Sequence, residues 1–250
     1  MINTAIEAAQ KAGQLAYRYF KSQPKVTYKP DDSPVTRADI EAEKLIRKII
    51  SKKFPDHGII GEELPPVNPN SRFQWVIDPI DGTRDFVRGS QFWATLLAVL
   101  KDNKPIIGIA FFPTLDELFI AEENKGCFFN GKRTKVSKIS NLKDAYVALG
   151  SQLKHFADKN KAKQIIKISQ KVQCTRNIAA YGYSLLLTGR ADGMLNANGG
   201  IWDFAAPAIL VEEAGGRFSD FAGKFSLTSE NSLLSNSLIH DQVLKILNAQ

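Results

Sequence analysis

The stretch WVIDPIDGTRDF, residues 75–86, constrains this chain more than any other. Its apolar opening reads as a buried strand, which then meets Asp78, Pro79, Asp81, Gly82 and Asp85. Pro79 has no N–H to give a ladder, so a regular strand cannot run through it. Asp81-Gly82 reads as a turn, and Thr83 can begin the next helical turn. Carboxylates held this close repel each other, and they become tolerable when a divalent cation sits between them. Hard oxygen ligands favour Mg2+ over zinc. The backbone N–H groups of Gly82 and Thr83 would suit a phosphate oxygen at a helix start. A metal and a phosphate at one place suggest phosphoryl chemistry. The competing reading is that these Asp residues merely serve the turn and the cap, where Asp is favoured.

Two other places favour the chemical reading. Gly61-Glu62-Glu63 follows the apolar HGII, a second strand end that carries acids. Trp202-Asp203 opens an apolar helix, where a lone Asp would ordinarily be a cap.

The rest of the chain supplies a scaffold. Thr4 and Glu7 fit a capping box, and Ile6, Ala9, Gly13, Ala16 and Phe20 recur at helical spacing, so a first helix is expected over about 4–20. SQPKVTYKPDDSP is a loop or an extended segment broken by Pro24, Pro30 and Pro34. Thr36 caps a second helix, with Leu45, Ile46, Ile49 and Ile50 inward, and FPDHG ends it. From Ile59 the pattern turns to strands: FQWVI, FWATLLAVL and PIIGIAFF joined by KDN, then DELFIAE, then GCFFNGKRTKV with an Asn130-Gly131 tight turn. A largely antiparallel sheet is expected there. After about residue 140 strand and helix alternate: AYVALGS, KNKAKQIIKISQKV, GYSLLLTG, DGMLNA, WDFAAPAILVEEAGG, GRFSDF and HDQVLKILNA. This predicts two intimately packed subdomains, 1–140 and 141–250, within one compact unit. The first carries most of the candidate metal ligands and the second carries Asp203.

With 250 residues, 44% hydrophobic and 24% charged, the chain can bury a sizeable core. Its formal charge of +7 comes from scattered Lys residues, with no basic stripe or nucleic-acid motif, so solvated surface charge is expected. Cys127 and Cys174 form no CxxC, and both are expected as small core hydrophobes in a reduced, cytoplasmic protein. No signal peptide is expected at the N-terminus, and no segment is apolar enough for a membrane span. His57, His155 and His240 fall outside the acidic motifs and are expected on the surface or in loops.

GEE, WVIDPIDGT and WDFAAPAILVEEAGG, in this order and at these strand and helix ends, resemble the inositol monophosphatase family of metal-dependent phosphatases. The resemblance implies an α+β fold, a layered αβαβα sandwich, often assembled as a homodimer. It implies hydrolysis of a small phosphorylated metabolite by direct attack of a metal-activated water, with two or three Mg2+ per active site and inhibition by lithium. Carried over by position, Glu62, Asp78 and Asp81 would bind metal, with the Ile80 carbonyl as a further ligand and Asp203 on the second metal. Asp39 and Thr83 would support the attacking water, with Glu62 counted among the catalytic residues. Gly82 and Thr83 would offer N–H groups to the phosphate.

Substrate choice is less legible. GTRDFVRGSQFWATLLAVL resembles the histidinol-phosphatase branch, with Arg84 as a candidate substrate contact. Inositol-type members usually carry a substrate-side Glu where this chain has Asn196, and Ser151 falls where they have a substrate-side serine. Lys29 lies before the DDSPVTRAD loop, where family members often have a lysine. Inositol monophosphate and histidinol phosphate are the expected substrates. A sugar-bisphosphate or nucleotide 3′-phosphate is the alternative, and a basic RNA- or protein-binding regulator on the same fold is the alternative from another class.

Overall fold

The computed structural model describes residues 1–22, 26–28, 34–150 and 159–249. Lys29, Ser151 and His155 lie outside the described residues, as does most of the loop between Lys29 and Pro34.

Two helices open the chain. α1 (Ile2–Lys21) turns Ala5, Ala8, Ala9, Ala12 and Ala16 inward, a face of small side chains that lets it lie close to its neighbours. The capping box expected at Thr4 and Glu7 does not form. The helix already begins at Ile2, the Thr4 N–H bonds to the Met1 carbonyl, and Thr4 is buried inside the first turns. Glu7 instead accepts from Lys11 and Lys53. β1 (Val26–Tyr28) and β2 (Pro34–Thr36) pair antiparallel and lead into α2 (Arg37–Lys53). Thr36 caps α2 as expected. Its hydroxyl accepts from the Ala38 N–H, and the Asp39 carboxylate reaches back to the Thr36 N–H.

A seven-stranded sheet follows: β3 (Gly58–Gly61), β4 (Phe73–Asp81), β5 (Ala94–Lys101), β6 (Lys104–Phe112), β7 (Glu117–Glu122), β8 (Gly126–Phe129) and β9 (Lys132–Arg133). The strands lie in chain order, β3 parallel to β4 and the rest antiparallel. The β5–β6 turn places Asp102 and Asn103 at φ 51° and 63°, and the β8–β9 turn places Asn130 and Gly131 at 45° and 77°. Both are two-residue turns with positive φ, whose twist matches that of the flanking strands. The short helix α3 (Thr83–Arg88) sits between β4 and β5.

The second half builds β10 (Tyr146–Gly150), α4 (Lys159–Ser169), β11 (Cys174–Asn177), α5 (Tyr181–Leu187), β12 (Gly193–Asn196), α6 (Ile201–Glu213), β13 (Arg217–Ser219), β14 (Ser232–Ser235) and α7 (His240–Leu247). The strands form one sheet in the order β11-β10-β12-β14-β13. β11 and β14 carry no strand signature. CTRN is polar and SLLS is four residues long, and both are strands because the sheet receives them.

The elements stack as five layers. α1 and α2 cover one face of the seven-stranded sheet around Trp75, Ile77, Leu97 and Ile109. α5 and α6 fill the space between the two sheets. α4 and α7 cover the outer face of the second sheet around Val147, Leu149, Leu195 and Val243. α6 is buried without a break from Phe204 to Val211, as a helix sandwiched between sheets must be. At about 25 cal/mol per Å2 of apolar surface, each such large side chain contributes roughly 1.5–3 kcal/mol.

Two expectations fail here. His240 is neither in a loop nor on the surface. It is fully buried at the start of α7, its ring nitrogens hydrogen-bonded to Ser219 and Ser235. Burial pushes its pKa down to about 4. Cys127 is core, whereas Cys174 is only half-buried because it lies on the edge strand β11.

Candidate active site

The site begins with a fault in β4. Asp78 faces Leu96 of β5 and Asp81 faces Ala94, so the register slips between them. In a regular strand, residues three apart point to opposite faces. One extra residue at Pro79-Ile80 reverses that parity, as a β-bulge does, and both carboxylates come to the same place. The Pro79 carbonyl, turned from the ladder, accepts from the buried Thr95 hydroxyl at 2.9 Å. Gly82 then takes φ 89°, where an added Cβ would lie 3.0 Å from the Phe92 carbonyl oxygen. The chain can therefore turn into α3 at this point only through glycine.

Asp203 arrives from the other half of the fold. It sits in the first turn of α6, where one carboxylate oxygen accepts from the Gly200 N–H at 2.5 Å. It is thus a cap, as its position suggests, and also a member of the cluster. Asp78, Asp81 and Asp203 each offer an oxygen within 4.8 Å of the other two. Glu62, just past β3, has its N–H on the Ile77 carbonyl and lines the same cavity.

This cluster costs free energy as it stands. Burial is the largest cause holding the Asp78 and Asp81 pKa values well above the usual carboxylate range. The charges of Glu62, Asp203 and of each other's neighbourhood add to the effect. Asp39 is raised to about 6, mainly by burial, against the opposing hydrogen bonds from Thr36. Asp39 Oδ1 and Asp81 Oδ2 are buried with no hydrogen-bond partner among the described residues. Buried oxygens left unpartnered are costly unless something absent from the protein completes them. Hard, anionic oxygen donors converging at this spacing fit a divalent cation of the Mg2+ type.

The cavity above the cluster holds about 650 Å3. Of the residues expected in the site, Glu62, Asp78, Ile80, Asp81, Gly82, Thr83, Arg84, Asn196 and Asp203 all line it. The Ile80 carbonyl accepts from the Thr83 hydroxyl at 3.0 Å, and the Ile80 N–H donates to Asp78 at 3.0 Å, so the loop is braced internally. Asp39 is fully buried behind the wall, within electrostatic reach of Glu62 and Asp78. Asn196 donates its amide to Tyr183 and Ser232, which fixes its orientation at the cavity edge.

Comparison with known proteins decides the family. The model of the inositol monophosphatase family matches residues 1–250. The chain belongs to the inositol monophosphatase family. It is 36% identical to the histidinol-phosphatase of Chlorobaculum parvum over 94% of this chain and 91% of that one. It is 33% identical to inositol monophosphatase 3 of Solanum lycopersicum over 99% and 96%. The solved Thermotoga maritima IMPase superposes with a TM-score of 0.89 at 33% identity, covering 98% of this chain and 96% of that one. As a member of this inositol monophosphatase family, the protein is a phosphatase of small phosphorylated metabolites.

Several cavity residues gave no sequence signal. Tyr183 lies in GYSLLLTG, an apolar helical run, yet its hydroxyl donates to the Asp203 carbonyl at 3.3 Å. Glu230 sits in a Ser-rich connection before β14 and reaches the cavity only because the second sheet brings it there. Asp85 belongs to the quoted motif but was not assigned a place in the site, and it lines the cavity too.

Proposed function

We propose that the protein is a Mg2+-dependent phosphomonoesterase that prefers histidinol phosphate, with myo-inositol 1-phosphate as the competing substrate. The observation that carries the metal dependence is the converging trio Asp78, Asp81 and Asp203, the first buried and the other two half-buried, lining a substrate-sized cavity. In this reading Glu62, Asp78, Asp81, Asp203 and the Ile80 carbonyl hold the ions. When bound, divalent ions supply Lewis-acid stabilisation of the phosphoryl oxygens and acidify the attacking water. The residues of the chain do the rest. Asp39, held by Thr36 through one oxygen and raised to about 6, keeps its other oxygen as a proton acceptor. Thr83 shares the positioning of the water from the cavity wall, and the Gly82 and Thr83 backbone and Arg84 receive the phosphate. Water attacks in line, without a phospho-enzyme.

The cavity also supports the substrate preference. Ions offset the floor carboxylates, while Asp85 and Glu230 remain as acids on the wall and rim. A cationic alcohol phosphate gains from such acids, and a neutral polyol does not. Relatives named histidinol-phosphatase agree with this choice. Lithium inhibition and a homodimeric assembly, which rest on the family resemblance, and a cytoplasmic setting, which rests on the two unpaired cysteines, complete the proposal.

Phosphate release from histidinol phosphate and myo-inositol 1-phosphate, each with Mg2+ and with a chelator, tests the reading. Release only with Mg2+ and faster from histidinol phosphate is the expected result. Release that persists under chelation would refute the metal dependence. Faster release from the inositol ester would refute the preference.

A further inference from the structure

We infer that Glu43 and Arg47 form a positioning clamp that places Glu62 for divalent cation binding. The inference rests on the reading of Glu62 as a metal ligand.

β3 is an edge strand of four residues: β4 lies along one side, and on the other Ile59 is bridged to Val67, the two residues exchanging backbone hydrogen bonds of 2.9 Å. Past that bridge, the Gly61 end of β3 has no second strand beside it among the described residues, and such an end is weakly held. Here the missing neighbour is a side-chain pair from α2. Glu43 is fully buried. One of its oxygens accepts from the Glu63 N–H at 2.8 Å, and the other accepts from Arg47 Nε at 2.7 Å. Arg47 then donates to the Leu64 carbonyl at 2.9 Å and to the Pro65 carbonyl at 3.0 Å. On the other side of Glu62, the backbone at Gly61 runs against the same carboxylate. A Cβ added to Gly61 would lie 2.0 Å from Glu43 Oε1. Both neighbours of Glu62 are therefore seated on one buried carboxylate, and the next two carbonyls are tied to its partner.

Stability alone does not account for this pair. Desolvating two charges costs several kcal/mol, and apolar residues of similar volume are often as stabilising or more so. The pair does supply directional bonds to three consecutive backbone positions, Glu63, Leu64 and Pro65, which apolar packing cannot. Outer partners that orient a metal ligand typically carry roughly 10–100-fold in metal affinity or activity.

The test separates positioning from folding. Mn2+ binding is measured by calorimetry on wild type, Glu43→Gln, and the double variant Glu43→Leu with Arg47→Met, alongside the melting temperature of each without metal and kcat and KM. The expected result is Mn2+ affinity weakened roughly 10–100-fold in both variants. The double variant should match or exceed the wild-type melting temperature, and the loss of activity should lie mainly in kcat and be partly recovered at high Mn2+. The double variant keeps the test meaningful if Glu43→Gln does not fold. Unchanged Mn2+ affinity in a folded double variant would overturn the clamp and leave the metal reading intact. Absence of Mn2+ binding by wild type would overturn both.

Discussion

Asp81 at the end of β4 and Asp203 in the first turn of α6 bring carboxylate oxygens within 4.8 Å of each other, although they belong to different halves of the fold. Their mutual repulsion is part of what raises the Asp81 pKa. The cluster is thus built against local stability, and several consequences can be measured.

Replacing Asp81 by Asn should separate function from stability. The variant keeps the shape of the side chain and removes a buried charge. Phosphatase activity should fall by at least ~10²-fold, the scale of a lost electrostatic element. The metal-free protein should gain about 1 kcal/mol, or ~2–4 °C in melting temperature for a chain of this size. Near-normal phosphate release at saturating Mg2+ would refute the role of Asp81.

Divalent ions should stabilise the protein strongly. A ligand at a hundred times its dissociation constant adds about 2.7 kcal/mol. Melting curves in excess Mg2+ should therefore lie roughly 5–10 °C above those in a chelator. Superimposable curves would show that the acidic cluster does not take up the ion.

His240 predicts a pH dependence independent of the metal site. Its pKa is about 4 in the folded protein and 6.5 in the ordinary state. Between these values the unfolded chain binds more protons, so stability rises with pH. The contribution is complete above about pH 6.5 and is lost as pH falls through 4, up to about 3 kcal/mol. Denaturant unfolding of wild type and His240→Gln should show their stability gap narrowing by that amount from pH 7 to pH 4. A gap that stays constant with pH would rule this out.

Glu230 is exposed at the cavity rim, so its contribution should be modest. Glu230→Gln should raise KM for histidinol phosphate by up to about fivefold, the scale of an exposed ion pair, and leave KM for myo-inositol 1-phosphate unchanged. Equal effects on both substrates would remove Glu230 from the recognition of a positive charge.

The short-range features were legible in the residues. The DPIDGT segment shows its chemistry because a proline disturbs regular pairing and a glycine turns the chain wherever they lie, although β4 itself runs on to Asp81 through a bulge. The turns at Asp102-Asn103 and Asn130-Gly131 and the Thr36 cap are likewise local, since each involves only a few adjacent residues. Motif order was enough to indicate the family, and with it the layered fold. Other features depended on distant partners. Glu43 looks like any helical surface glutamate until β3 is laid against α2. His240 looks like a loop residue until β13 and β14 supply Ser219 and Ser235. The cap at Thr4 failed because the helix could begin earlier, at Ile2, with its alanine face against the sheet. By itself the sequence determined which residues can bind a metal and where strand pairing must become irregular, because those properties reside in single side chains and their immediate neighbours. Only the tertiary structure decided which carboxylates meet, which are buried and which face a substrate, because burial and convergence arise from packing between segments far apart in the chain.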